Sequence, residues 1–125
     1  MELLENYKNG TPQEACFAAI HEKYNEHSAH DWCHTISNAL IVVASLLYGK
    51  EDYSKYICMA VETGFDTDCN GATVGSILGM KNGIATIGEE WTAPIHGKLQ
   101  TTIFNMGIVD CEELVKHTMK HLPKQ

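Results

Sequence analysis

The chain of 125 residues contains no arginine, and its nine basic residues are all lysine. Its formal net charge at pH 7 is −7. An acidic chain without arginine lacks the cationic patch that neutralises nucleic-acid phosphates. It also lacks the planar guanidinium that holds a phosphate through two hydrogen bonds. We therefore expect no nucleic-acid binding, and a phosphate-bearing ligand must be met by backbone amides, lysine, a metal ion or another chain.

Long apolar runs and paired cysteines are missing as well. The longest apolar run, residues 39–48, contains Ser45 and is too short to span a bilayer. The first residues have neither the basic start nor the apolar stretch of a secretory signal. The five cysteines are odd in number and show no C-x-x-C spacing, which argues against a disulfide or zinc framework. We therefore predict a soluble, cytoplasmic protein that binds no membrane, with one domain over residues 1–125.

The chain is rich in helical patterns. Capping boxes predict helix starts at TPQE (residues 11–14, with proline at the first helical position) and at DCEE (residues 110–113). The helices are predicted to run from about residue 12 to 24 and over residues 35–48, 52–63, 70–81 and 110–122. The second of them is apolar nearly all round, which predicts a central place in the core. The sequence thus predicts an all-α fold, an orthogonal multi-helix bundle, with one short strand pair near residues 99–108.

Glycines recur every four residues in the helix predicted over residues 70–81. Gly71, Gly75 and Gly79 therefore form one smooth stripe. Each glycine weakens an isolated helix by about 1 kcal/mol relative to alanine. Such a stripe lets a neighbouring backbone or a ligand come close. We expect close helix packing at Gly75 and Gly79, whereas Gly71 fits either role.

Two carboxylates lie one residue apart just before this stripe, in the segment GFDTDCNG at residues 64–71. Asp66 and Asp68 are hard oxygen ligands of the kind that Mg²⁺ and Ca²⁺ prefer. Aspartate is also an ordinary turn and N-cap residue, so the segment alone leaves both a cation site and a simple helix cap open. An EF-hand loop matches its first six positions but requires glutamate at the twelfth, where this chain has Ile77. We therefore expect no EF-hand.

A second metal pattern is the adjacent pair His30-Asp31. With His21 and with Asp66 or Asp68 as further ligands, it would suit a transition metal in a His-Asp-type metal-dependent phosphohydrolase. The same residues fit a polar loop between helices equally well. This function therefore stays an alternative.

Two further features have simpler explanations. His117 and His121 are four residues apart and would share a helix face, but a histidine near a helix C-terminus is also favoured by the helix dipole. Cys69 lies near a predicted helix N-terminus, which can lower the pKa of a thiol, whereas a small buried cysteine is the ordinary alternative.

Three segments taken together resemble the ADP-ribosylglycohydrolase family. They are WCHTISNA at residues 32–39, the apolar helix that ends in LLYG at residue 49, and GFDTDCNGATVG at residues 64–75. Trp91 and Pro94 resemble the family's closing section, and the match extends from about Thr11 onward. The resemblance implies an all-helical fold with a pair of Mg²⁺ ions in a cleft. It also implies cleavage of the glycosidic bond that joins ADP-ribose to a protein side chain or a similar acceptor.

The resemblance also implies roles for particular residues. By position, Asp66 and Asp68 would be metal ligands, and Cys69 would be the third candidate ligand, where the family often has a threonine hydroxyl and some bacterial-type members have cysteine. A thiol is a soft ligand and suits Mg²⁺ poorly. His34 and Asn38, one turn apart, would bind or position the substrate, or be satisfied polar groups of the core. No residue is assigned as catalytic.

One departure from the family bears on activity. The family's glycine-rich opening and its separate carboxylate cluster have no counterpart in this sequence. We expect the chain to correspond to the C-terminal part of such a domain, a fragment with half of a dinuclear site and little or no activity alone, so that its status as an enzyme is open. Its partners would be an ADP-ribose-type ligand or ADP-ribosylated acceptor, and the missing N-terminal half or a second copy. A non-enzymatic binding or oligomerising module is the other alternative, because bared apolar faces promote association.

Overall fold

The structure, a computed structural model, describes residues 2–123 and is mainly helical. Its α-helices are α1 (Glu2–Lys8), α2 (Gln13–Lys23), α3 (Thr35–Tyr48), α4 (Tyr53–Glu62), α5 (Thr67–Asn82), α6 (Glu89–Thr92) and α7 (Cys111–Met119). Short 3-10 turns follow α5 and α6, at Ile84–Thr86 and Ala93–Ile95. Strands β1 (Lys98–Gln100) and β2 (Ile108–Asp110) pair antiparallel, with Leu99 opposite Val109. The prediction of an all-α fold with one short strand pair near residues 99–108 is confirmed. No helix in the described range is long and apolar enough to cross a membrane.

The chain divides into two compact units, Met1–Thr86 and Ile87–Gln125. The buried apolar side chains of the described residues all belong to the first unit, between Cys16 and Leu78. The second unit consists of α6, the strand pair and α7 with their connecting turns. The single domain over residues 1–125 stays a prediction.

Helix α3 is central to the first unit, as its apolar sequence predicts. It packs against α1, α2, α4 and α5, and its side chains Ile41 and Ala44 are completely buried. One face is nevertheless open, because Ile36 and Val43 are 55% and 45% exposed. A helix that is apolar nearly all round has therefore kept one side without a neighbour.

Helices α4 and α5 lie close together because glycines of α5 face α4. A Cβ atom added at Gly71 would lie 3.0 Å from Cγ2 of Val61, and one at Gly75 would lie 3.3 Å from Cδ1 of Ile57. The close helix packing predicted for Gly75 is confirmed. Gly71 has the same packing role.

Two helix starts differ from the sequence prediction. Pro12 is the N-cap of α2 rather than its first helical residue, and no side chain caps this helix. The TPQE capping box therefore does not form, and the Thr11 carbonyl instead accepts a hydrogen bond of 2.7 Å from the Tyr48 hydroxyl. Helix α5 begins at Thr67, three residues before the predicted start, because Asp66 is its N-cap.

The last helix starts where the DCEE segment predicts. The Asp110 carboxylate accepts hydrogen bonds from the backbone amides of Glu112 (2.9 Å) and Glu113 (3.3 Å). The helix ends at Met119, three residues short of the prediction. His121 therefore lies outside α7 and does not share a helical face with His117.

Candidate metal centre and groove

The turn that leads into α5 is sharply bent. Gly64 and Phe65 both have left-handed backbone, with φ of 84° and 59°. The Phe65 side chain is buried and its ring lies 5.2 Å from the ring of His21 on α2. A Cβ atom at Gly64 would meet the movable end of the Glu26 side chain, so the left-handed backbone angle is what favours glycine here. The buried aromatic ring fixes this turn, and Asp66 follows it directly.

Asn38 holds the start of α5 to the start of α3. Its side-chain oxygen accepts hydrogen bonds from the Asp66 backbone amide (3.1 Å) and from the Asn70 side-chain amide (2.6 Å). Its side-chain NH₂ donates to the carbonyls of Trp32 and His34, each at 3.0 Å. Four hydrogen bonds therefore satisfy one half-buried amide. Asn38 thereby fixes the position of Asp66, which lies 28 positions later in the chain.

Asp66, Asp68 and Cys69 form one cluster at the N-terminus of α5. One ligand atom from each, a carboxylate oxygen or the thiol sulfur, lies within 4.8 Å of the others. Asp66 is half-buried, and the other two are exposed. Among residues 2–123, no other group of three or more histidine, cysteine or acidic side chains converges in this way. The three metal ligands implied by the resemblance are thus brought together.

Hydrogen bonds inside the cluster shift the pKa values of Asp68 and Cys69 in opposite directions. The bond to the Asp66 side chain, and then the backbone amides of Cys69 and Asp68, hold the pKa of the Asp68 carboxyl below its ordinary value. The hydrogen bond from the Cys69 thiol to Asp66, together with the negative charge there, raises the pKa of that thiol. The pKa of the Cys69 thiol is thus raised rather than lowered, and the thiol is exposed, so neither the lowered pKa nor the small buried cysteine expected from the sequence is found.

A groove of about 410 Å³ runs between α3 and α5 and ends at this cluster. Ala39, Val42 and Thr73 give it apolar walls, and Asp66 and Cys69 lie at its polar end. Asn38 also lines it. The groove lies between α3 and α5 and reaches Val43 on the open face of α3, so an apolar surface adjoins the Asp66 carboxylate.

His34 lies at the start of α3, next to the groove-lining residue Thr35 but not itself in the groove. It is the N-cap of α3, where Nδ1 accepts a hydrogen bond of 3.3 Å from the Ile36 amide, and its ring stacks on His30 at 4.6 Å. The residues that line the groove include Asn38 but not His34. Its role in substrate binding stays a prediction.

The alternative metal patterns do not assemble. An EF-hand loop is excluded, because Thr67–Asn82 is helical and Ile77 lies within that helix. His30 Nδ1 pairs with Asp31 at 2.9 Å, and the other Asp31 oxygen accepts the Asn25 amide at 3.0 Å. In the described part of the chain this pair joins no third metal ligand, neither His21 nor an aspartate of α5. The geometry is that of a hydrogen-bonded loop.

Sequence reasoning missed two contributors to this site. Asn70 is buried and donates its side-chain amide to Asn38, a contact across 32 residues that no local pattern indicates. The groove was also missed, because an apolar helix gives no sign of which face lacks a neighbour. The left-handed Gly64 was the one local signal for the bend.

Comparison with protein-family models matches residues 1–121 to the ADP-ribosylglycohydrolase family. No curated protein and no solved structure matches the chain. The matched residues cover nearly the whole sequence, including the α3 start, the cluster and the groove. The fold, the paired aspartates and this match agree, and the chain belongs to the ADP-ribosylglycohydrolase family.

Proposed function

We propose that Asp66 and Asp68 supply part of a dinuclear Mg²⁺ site for the hydrolysis of an ADP-ribosyl glycosidic bond. The observation that carries this proposal is the convergence of the two carboxylates at the end of a groove, in a member of this family. The negative charge of both residues suits a dication. Because Asp66 is half-buried, fewer water molecules compete with its carboxylate for the ion.

Two of the three side chains in the cluster are suitable ligands for magnesium. The carboxylate oxygens of Asp66 and Asp68 are hard ligands, whereas the Cys69 sulfur is soft and suits Mg²⁺ poorly. The Asn38 oxygen already accepts two hydrogen bonds within the protein. Because each Mg²⁺ takes six ligands, two carboxylates hold a pair of ions only with water, substrate or groups from another polypeptide. We therefore propose weak metal binding and little or no activity for this chain by itself.

The remaining residues prepare the site. When bound, the ions would stabilise negative charge and activate water. Asn38 fixes Asp66 through its backbone amide, while Ala39, Val42 and Thr73 offer an apolar wall beside the charged end. This pairing suits a ligand with both a flat apolar part and phosphates, such as ADP-ribose. We keep His34 as a substrate-binding group at the start of α3, with its second ring nitrogen as the atom that would approach the ligand.

Nuclear magnetic resonance of the ¹⁵N-labelled chain tests the metal site directly. Titration with Mg²⁺ should shift the amide signals of residues 66–70, with a dissociation constant of about 1 mM or weaker. Trace Mn²⁺ should broaden the same signals. Broadening centred instead on His30 and Asp31, or on the acidic start of α7, would place the ion elsewhere and reject the site.

The same sample tests the substrate class. ADP-ribose added with Mg²⁺ should shift signals of Asn38, Ala39, Val42 and Thr73, which line the groove, and should do so less without the metal. An equal amount of ribose 5-phosphate is the control for non-specific phosphate binding. Shifts confined to other parts of the chain would reject the groove as the ligand site. Rapid release of ADP-ribose from a modified protein by the isolated monomer would contradict the incomplete ligand set.

Replacing Cys69 by threonine should tighten Mg²⁺ binding. The hydroxyl offers a hard oxygen in place of a soft sulfur, so we expect a gain of at least about threefold in affinity. Isothermal titration calorimetry measures it. Cys33→Thr is the matched control, because Cys33 is exposed and lines the groove but lies outside the cluster. An unchanged or weaker affinity for Cys69→Thr would show that position 69 does not face the ion.

A further inference from the structure

The second unit has no core of its own. None of its described residues, 87–123, is buried. Nine large apolar side chains between residues 98 and 122 are exposed, among them Phe104 (88%), Ile108, Ile103, Val115 and Met119. A two-stranded hairpin is marginally stable unless an apolar surface covers it. The hairpin–helix segment, residues 98–122, therefore needs a partner surface.

Helix α7 carries an apolar stripe with opposite charges at its two ends. Val115 and Met119 are four residues apart and share one helical face, Leu114 lies beside Val115 at the edge of that face, and all three are exposed. Acidic residues lie in the first turn of the helix, and Lys116 and His117 lie in the last. Lys120 follows as the C-cap. The surface is thus self-complementary when one copy of the helix runs antiparallel to another.

The distribution of charge favours the same contact. Residues 1–86 contain eleven acidic residues and five lysines, a net charge of −6. Residues 87–125 contain five acidic residues and four lysines, a net charge of −1. Two copies of this chain therefore repel each other strongly through their first units and little through their second units.

We propose that the hairpin–helix segment is a self-association surface on which two copies of the chain pair with their α7 helices antiparallel. Such a two-fold contact is isologous, so the acidic start of each α7 meets the basic end of the other. The nine exposed apolar side chains of the segment would form the centre of such a contact, in which each partner of a standard interface contributes roughly 800 Å². This inference does not rest on the metal site, and removal of Mg²⁺ leaves the association unchanged.

Charge reversal on α7 of the full chain tests the pairing by sedimentation equilibrium. Glu112→Lys with Glu113→Lys makes both ends basic, and Lys116→Glu with Lys120→Glu makes both ends acidic. Each variant should weaken its self-association by about tenfold or more, a typical effect of a central interface residue. An equimolar mixture of the two variants should restore the affinity. Matched controls in the first unit are Glu14→Lys with Glu22→Lys and Lys55→Glu with Lys81→Glu, which should not show this recovery on mixing.

Hydrogen exchange of the unmodified chain provides a second readout that needs no substitution. Backbone amides within residues 98–122 should exchange more slowly as the protein concentration rises. A chain that stays monomeric at millimolar concentration would overturn the proposal. So would a dimer whose added protection lies on α3 and α5, or one that both α7 variants leave intact.

Discussion

Replacement of Asn38 by alanine is expected to lower the free energy of unfolding by about 3 kcal/mol. The side chain makes four hydrogen bonds, to the Asp66 backbone amide, the Asn70 side chain and the carbonyls of Trp32 and His34. Alanine would remove all four and leave buried Asn70 without this acceptor. Water can reach part of the site, because Asn38 is half-buried and lines the groove, which keeps the loss below the sum of four separate penalties.

Urea denaturation measures this loss, with Asn82→Ala as the matched control. Asn82 is exposed at the end of α5, so its replacement should change the free energy of unfolding by no more than about 0.5 kcal/mol. A double-mutant cycle with Asn70→Ala isolates the contact between the two asparagines. We expect a coupling of about 1–2 kcal/mol. Strictly additive losses would show that the 2.6 Å hydrogen bond between the two asparagines contributes nothing to stability.

The parts of the fold that sequence predicts well are those set by local chemistry. Helix α3 ends where predicted because the apolar run over residues 39–48, interrupted only by Ser45, is followed by Gly49. The start of α7 was predictable because Asp110 caps the amides two and three residues ahead. The all-α class and the strand pair follow from the same short-range patterns.

The errors arise where contacts from distant residues decide. The TPQE segment has the composition of a capping box, but Pro12 is the N-cap of α2 and no side chain caps it, while Tyr48, 37 residues away, donates to the Thr11 carbonyl. The metal cluster shows a subtler difference. Asp66 and Asp68 were expected on one turn, yet Asp68 already belongs to the first turn of α5. Both residues therefore lie at the N-terminal end of α5, Asp66 as the N-cap residue and Asp68 inside the helix.

The sequence predicts the residues of the candidate site but not the contacts that hold them in place. The paired aspartates and Cys69 stand out in sequence, and the structure brings their ligand atoms together. The asparagine pair that fixes Asp66 spans 32 residues, so only the packing of α3 against α5 reveals it. The groove depends on the open face of α3, and a sequence does not show which apolar face lacks a neighbour.

The combined substitution of Asp66 and Asp68 by asparagine should abolish most Mg²⁺ binding. Each change removes one negative charge and a strong oxygen ligand at the proposed ion position. A loss of about 1–2 kcal/mol per carboxylate predicts a fall in affinity of at least about thirtyfold for the pair. The Asp66 side chain makes no capping hydrogen bond, so α5 should keep its start, and circular dichroism checks that it does.

Calorimetry with Mg²⁺ gives the affinity, and Glu14→Gln with Glu62→Gln is the control. These two glutamates are exposed on helices of the same unit, and their replacement removes the same net charge without touching the cluster. If the control weakens binding as much as the aspartate pair does, the ion responds only to the overall acidity of the surface. If the aspartate variant binds Mg²⁺ as the unmodified chain does, the two carboxylates do not hold the ion and the proposed site is wrong. Loss in the aspartate variant alone would assign the metal to the bend that Phe65 and Asn38 hold in place.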